Sequence, residues 1–180
     1  MPATHVALLR GVNVGGNNKL PMKDLVTIFA GAGCRNVSAY IQSGNIIFSA
    51  TPKIAALLAE GITVQIFKQF GFQSPVILRT AEQLRRVLSE NPFVKAGADE
   101  DWLYVMFLAG VPDAQKVTQL DPDRSPPDRF VVRGQEIYLQ LPNGAGRSKL
   151  TNTYFDSKLG TISTARNWRT VTKLVELMQA

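Results

Sequence analysis

Two residue types that build most catalytic and metal centres are nearly missing. The 180-residue chain has one cysteine, Cys34, and one histidine, His5. A single cysteine excludes an internal disulfide and any multi-cysteine metal site, and zinc would find too few soft ligands. His5 stands at the start of a predicted strand and reads as structural or solvated. That leaves Cys34 without a histidine base for nucleophilic catalysis. No metal and no cofactor are expected. No run approaches the ~18 apolar residues of a membrane span. The N-terminus also lacks the basic segment, apolar core and cleavage site of a signal peptide. A reducing cytoplasm is the expected location, with no membrane partner.

What the chain does carry is an ordinary globular composition, 45% apolar and 19% charged, at a length suited to one sizeable domain or two small packed ones. Its net charge of +6 is uneven. Residues 1–98 hold ten Lys/Arg and four Asp/Glu; residues 99–128 hold two and seven; residues 129–180 hold eight and three. Two basic segments thus flank an acidic one, the pattern a polyanion-binding face requires. The plainer reading is that these lysines and arginines are merely solvated.

The organising stretch is HVALLRGVNVGGNNKLPM, His5 to Met22. Val6 to Leu9 is an unbroken apolar run, as in a strand buried on both faces. Gly11, Gly15 and Gly16 free the backbone for positive φ and for close approach of another group. Pro21 suits the first helical position. A strand–loop–helix junction carrying Arg10, Asn13, Asn17, Asn18 and Lys19 has the makings of an anion site. Gly11 and Gly16 have the spacing of a nucleotide-phosphate loop, but Asn17 and Asn18 stand where Lys and Ser/Thr belong. A dinucleotide fingerprint is absent too. No acidic residue lies in the loop, so the site is rich in donors and poor in bases. This argues for anion binding over hydrolysis and against a magnesium-dependent nucleotidase.

Onward, Leu25, Ile28, Phe29 and Ala32 mark a helix over 21–32, closed by Gly33. Val37–Ile41 and Asn45–Ser49 read as a hairpin turned through Gln42-Ser43-Gly44. Thr51-Pro52 opens a helix to about residue 70, with Gly61 inside it. Pro75–Arg79 is a strand, and Thr80 with Gln83 forms a capping box for a helix ended by Asn91-Pro92. Residues 102–109 begin a second series. It continues through a short helix over 112–120, a hairpin at 130–141 and a helix capped at Ser148 and ended by Gly160. A short strand at 161–164 and a final helix from Asn167 complete it. Each series runs β-α-β-β-α-β. The expected fold class is therefore α+β, two ferredoxin-like (β-α-β-β-α-β) subdomains packed together, divided as 1–94 and 95–180. The first and third strands, VALLR and NIIFS, lack the stacking aromatics of an RNA-recognition domain.

LLRGVNVGGNNKLPM, YIQSGNIIF, EIYLQLP and TARNWRTVTKL together, in that order, resemble one bacterial family, designated domain of unknown function 1697. The resemblance implies two packed ferredoxin-like subdomains and brings no established activity, so no catalytic residue is carried over. It falls on Arg10, Gly11, Asn13, Gly15 and Gly16 in the loop, on Ser43, Gly44 and Asn45 in the hairpin, and on Thr164, Arg166 and Asn167 before the last helix.

Two functional readings follow. The first is a binding protein or enzyme with an anion-accepting cleft between its halves. Arg10, Gly11, Asn13, Gly15, Gly16 and Lys19 would line it from the loop, Ser43 and Asn45 from the hairpin, and Arg166 and Asn167 from the second half. The ligand would be a phosphorylated small molecule, a nucleotide or a nucleic-acid backbone. The rival is an interaction or self-association module in which the glycine loop is purely structural, Asn167 only caps a helix and Trp168 anchors the core. Oligomeric state is open in either case.

Overall fold

The computed structural model describes residues 4–179. The first series comprises β1 (His5–Leu9), α1 (Met22–Gly31), β2 (Arg35–Tyr40), β3 (Asn45–Ser49), α2 (Pro52–Phe70) and β4 (Val76–Thr80). Helices α3 (Ala81–Glu90) and α4 (Pro92–Lys95) follow it. The second comprises β5 (Leu103–Leu108), α5 (Ala114–Thr118), β6 (Arg129–Arg133), β7 (Glu136–Gln140), α6 (Asn152–Leu159), β8 (Ser163–Asn167) and α7 (Trp168–Gln179). The strands form two four-stranded sheets, ordered β2-β3-β1-β4 and β6-β7-β5-β8. Every neighbouring pair in both is antiparallel. The fold is α+β.

The chain divides into two compact units: one runs to Arg85 and includes the stretch from Leu174, and the other is Arg86–Lys173. The expected junction at 94/95 falls at the end of α4, between the two series.

In the first unit, Ala7, Leu9, Phe29, Ile46, Phe48, Leu58, Ile62 and Ile66 are buried together, so the core lies between one sheet face and the two helices. Helix α2 runs unbroken through Gly61 because Leu58, Ile62 and Ile66 keep its inner stripe continuous. Thr51 caps it, accepting from the Ile54 N–H. Helix α1 ends in the paired bonds of a glycine-closed terminus: Cys34 N–H donates to Phe29 and Gly33 N–H to Ala30. Pro21 sits one place earlier than expected, as the residue before α1, with no side-chain cap. In the second unit Met106, Leu108, Ile137, Leu139, Tyr154 and Phe155 form the core. Helix α6 is capped by Thr151, which accepts from Tyr154 N–H, and not by Ser148. Ser148 instead turns back onto Leu150 N–H. The last strand is displaced to 163–167, since alternate residues there register against β5.

The two series match more closely than their order alone requires. Arg79 pairs with Val6 in the first sheet and Arg166 with Val105 in the second. Both arginines are buried, and each donates from Nη1 to the carbonyl of the residue before it, Leu78 or Ala165. The next residue in each case caps a helix from the same position. Thr80 accepts from Gln83 N–H and Asn167 from Thr170 N–H.

Candidate functional site

The glycine loop is a small hairpin rather than an open cradle. Val14 and Asn17 bridge, with Asn17 N–H donating to Val14 at 3.0 Å, and Asn13 N–H donates to Asn18 at 3.1 Å. Gly15 and Gly16 form its tip at φ 58° and 78°. Positive φ at both central positions is the turn geometry that matches strand twist. All three loop glycines have positive φ, as expected, since Gly11 stands at 70°. The two feet, Val12 and Leu20, are buried in the core, while Val14 to Lys19 is exposed.

Asn13 joins this finger to the β2–β3 turn. Its Nδ2 donates to the Leu20 and Gln42 carbonyls at 2.9 and 2.8 Å, and its Oδ1 accepts from Leu20 N–H at 2.8 Å. Both amide hydrogens are spent, so Asn13 shapes the corner instead of donating to a ligand. Asn45 does the same on the turn side. Fully buried, it donates to the Tyr40 carbonyl and to Ser43 Oγ at 3.1 and 2.9 Å. Asn18 donates to the Gly11 carbonyl at 3.0 Å. Below them, Arg10 is tied through its backbone. Its N–H donates to Pro75, and its carbonyl accepts from Ser74 Oγ. Leu9 N–H donates to Gly44, which is packed so closely that a Cβ there would lie 2.6 Å from Val12 Cγ2.

Of the expected site residues, the fold therefore gathers Arg10, Gly11, Asn13, Gly15, Gly16, Lys19, Ser43 and Asn45 at one corner of the first unit. At the amino end of α1, Pro21 gives no side-chain cap and Asp24 places an acidic residue in the first turn.

Arg166 and Asn167 belong to the second unit, where Asn167 takes the capping role of the rival reading. Arg166 is not a solvent-facing donor beside a helix start. Its Nη1 donates to Thr164 Oγ1 and the Ala165 carbonyl at 2.9 and 2.8 Å, and burial lowers its pKa to about 10. Asn167 caps α7, and Trp168 is buried behind it.

Sequence reasoning missed Ile41, an exposed β-branched residue at φ 51° in the β2–β3 turn. No sequence signal marks it, because β-branched residues ordinarily avoid that region. Among the described residues no group of three or more His, Cys, Asp and Glu side chains could hold a metal ion. No described helix is long and apolar enough to cross a membrane.

The fold and this corner define an α+β protein of two four-stranded antiparallel sheets, with a braced finger on the first. The family described as protein of unknown function, DUF1697, matches residues 3–138, and the chain belongs to that family. The match includes the finger and the β2–β3 turn and stops before Thr164, Arg166 and Asn167. No curated protein matches the chain. Among solved structures, the chain is similar to that of the conserved bacterial protein SP0830 from Streptococcus pneumoniae. It is 21% identical, with a TM-score of 0.76 and 100% of both chains covered, a likeness of fold.

Proposed function

We propose that this protein binds a phosphate-bearing ligand at the finger-and-turn corner of its first unit, and that it does so in the cytoplasm. The observation that carries this reading is the concentration of unusual backbone there. Gly11, Asn13, Gly15, Gly16, Asn18, Ile41 and Gly44 all have positive φ. For residues other than glycine such geometry costs on the order of 1–3 kcal/mol each, and it gathers where a surface is preorganised for a partner. Arg10 and Lys19 supply the charge, and no acidic residue lies in 10–20 or 41–45. The strand order and uniformly antiparallel pairing support ferredoxin-like architecture for each unit, and we carry the division near 94/95 as part of this reading.

The test is thermal stability against inorganic phosphate, nucleotides and sugar phosphates. A compound at ~100 times its dissociation constant adds about 2.7 kcal/mol. Lys19→Ala should remove the response while leaving the unliganded stability unchanged. If no member of the panel shifts the transition, the reading fails. A second reading, a protein partner, is favoured by two exposed apolar side chains on the same corner, Val14 at 64% and Ile41 at 49%. Val14→Ser would then abolish binding that Lys19→Ala spares.

A further inference from the structure

Helix α2 is apolar on two opposite sides. Leu58, Ile62 and Ile66 face the core, while Leu57, Val64 and Phe67 stand 70%, 44% and 53% exposed on the other side. Three large apolar side chains exposed along one helix face form the kind of patch that marks a protein–protein contact. Beside this ridge, Asp24, Thr27 and Gly31 of α1 and Gly61 of α2 help line a groove of about 960 Å³. Nothing lies within 4 Å of where a Gly61 Cβ would be, so its surface is open to a close neighbour.

The exposed side also carries Lys53 and Glu60, seven residues apart. Seven residues fall about 20° short of two turns, so both lie on one line within the ridge, between Leu57 and Phe67 around the helix and about 10.5 Å apart along the axis. We propose that the occupant of this face is a second copy of the chain, with the two α2 helices antiparallel about a two-fold axis between Ala56 and Leu57. In that pairing Lys53 of each copy falls opposite Glu60 of the other, so one spacing is used twice, as an isologous interface requires. Leu57 meets Ala56, and Gly61 admits Pro52. Val64 falls opposite Ser49, just before the partner's helix begins, where a second cavity of about 410 Å³ is lined by Ser49, Thr51, Gly33 and Ile54. Apolar contact supplies the stability, because exposed ion pairs add little. The charges select the partner and its direction.

Charge reversal on the full chain tests this by analytical ultracentrifugation. The native protein should sediment as a dimer at about 100 μM, a concentration that populates any complex of micromolar dissociation constant. Lys53→Glu alone and Glu60→Lys alone should each weaken self-association at least tenfold, with circular dichroism unchanged because both positions are exposed. An equimolar mixture of the two single variants should recover the dimer, since every crossed pair is then attractive. The double variant should recover it too. A native monomer at that concentration overturns the proposal. So does a dimer indifferent to either reversal, or a mixture that stays monomeric.

Discussion

Gly44 and Gly15 share a left-handed backbone yet differ in what replacement would do. A Cβ on Gly44 would lie 2.6 Å from Val12 and 2.7 Å from Leu9, whereas one on Gly15 would meet nothing within 4 Å. Gly15→Ala should therefore cost only the left-handed strain, about 1 kcal/mol. Gly44→Ala adds overpacking against two core residues and should cost about 3 kcal/mol or more. Urea midpoints decide it, and equal losses would contradict the geometry. The loop glycines were legible in the sequence because only glycine takes these angles freely. The spent amides of Asn13 were not, since one of their acceptors, Gln42, lies 29 residues away. His5 adds a pH effect. It stacks on Phe48 at 5.5 Å, and partial burial lowers its pKa below the usual 6.5. The unfolded chain then binds the proton more readily, so the His5 contribution to stability is complete above pH 6.5 and lost as pH falls through the lowered value. With one histidine in the chain, imidazole NMR resonances report it directly. A midpoint at or above 6.5 would contradict the burial.

At the scale of elements, periodicity and capping chemistry were sufficient for most of the chain. The four-residue recurrence through Gly61 marked α2, and Thr80 with Gln83 marked the start of α3 by two reciprocal bonds. The finger hairpin was hidden because its single bridge, Val14 to Asn17, is too short to show alternation. Ser148 was mistaken for a cap because Thr151 offers the same chemistry three residues later, and only packing of Tyr154 and Phe155 settles which begins the helix. The repeated Arg-then-cap pattern was equally hidden. VILRTAEQLRRVL and STARNWRTVTKLV share little beyond the arginine until strand register aligns them. If the two caps are equivalent, Thr80→Ala and Asn167→Ala should each cost about 1 kcal/mol by denaturant unfolding. The corresponding glycine variants should lose only a few tenths. A cap whose removal costs nothing would mark that helix as held by packing alone.

At the scale of the whole molecule, the charge asymmetry read from the sequence meets a structural subtraction. Arg79 and Arg166 count toward the +6 but are buried, so neither can lie against a phosphate backbone. Arg169 is engaged with Asp101 at 2.9 Å on the surface. What remains is a scatter of exposed lysines and arginines with Lys19 on a finger. A finger touching one phosphate group and a basic face tracking a strand differ in salt dependence. Each phosphate contacted on single-stranded nucleic acid contributes about −0.7 to the slope of log affinity against log salt. A slope of about −1 or shallower is expected if Lys19 and Arg10 act locally, and Lys19→Ala should then abolish most of the affinity. A slope steeper than about −3 would require many spread contacts and would leave Lys19→Ala nearly silent. Fluorescence anisotropy with a labelled oligonucleotide across a salt series measures both quantities. A steep slope with an inert Lys19 would move the function from the finger to the surface charge. Undetectable binding at low salt would remove nucleic acid and leave the small phosphorylated ligand, because a compact anion needs only the two cations at the corner.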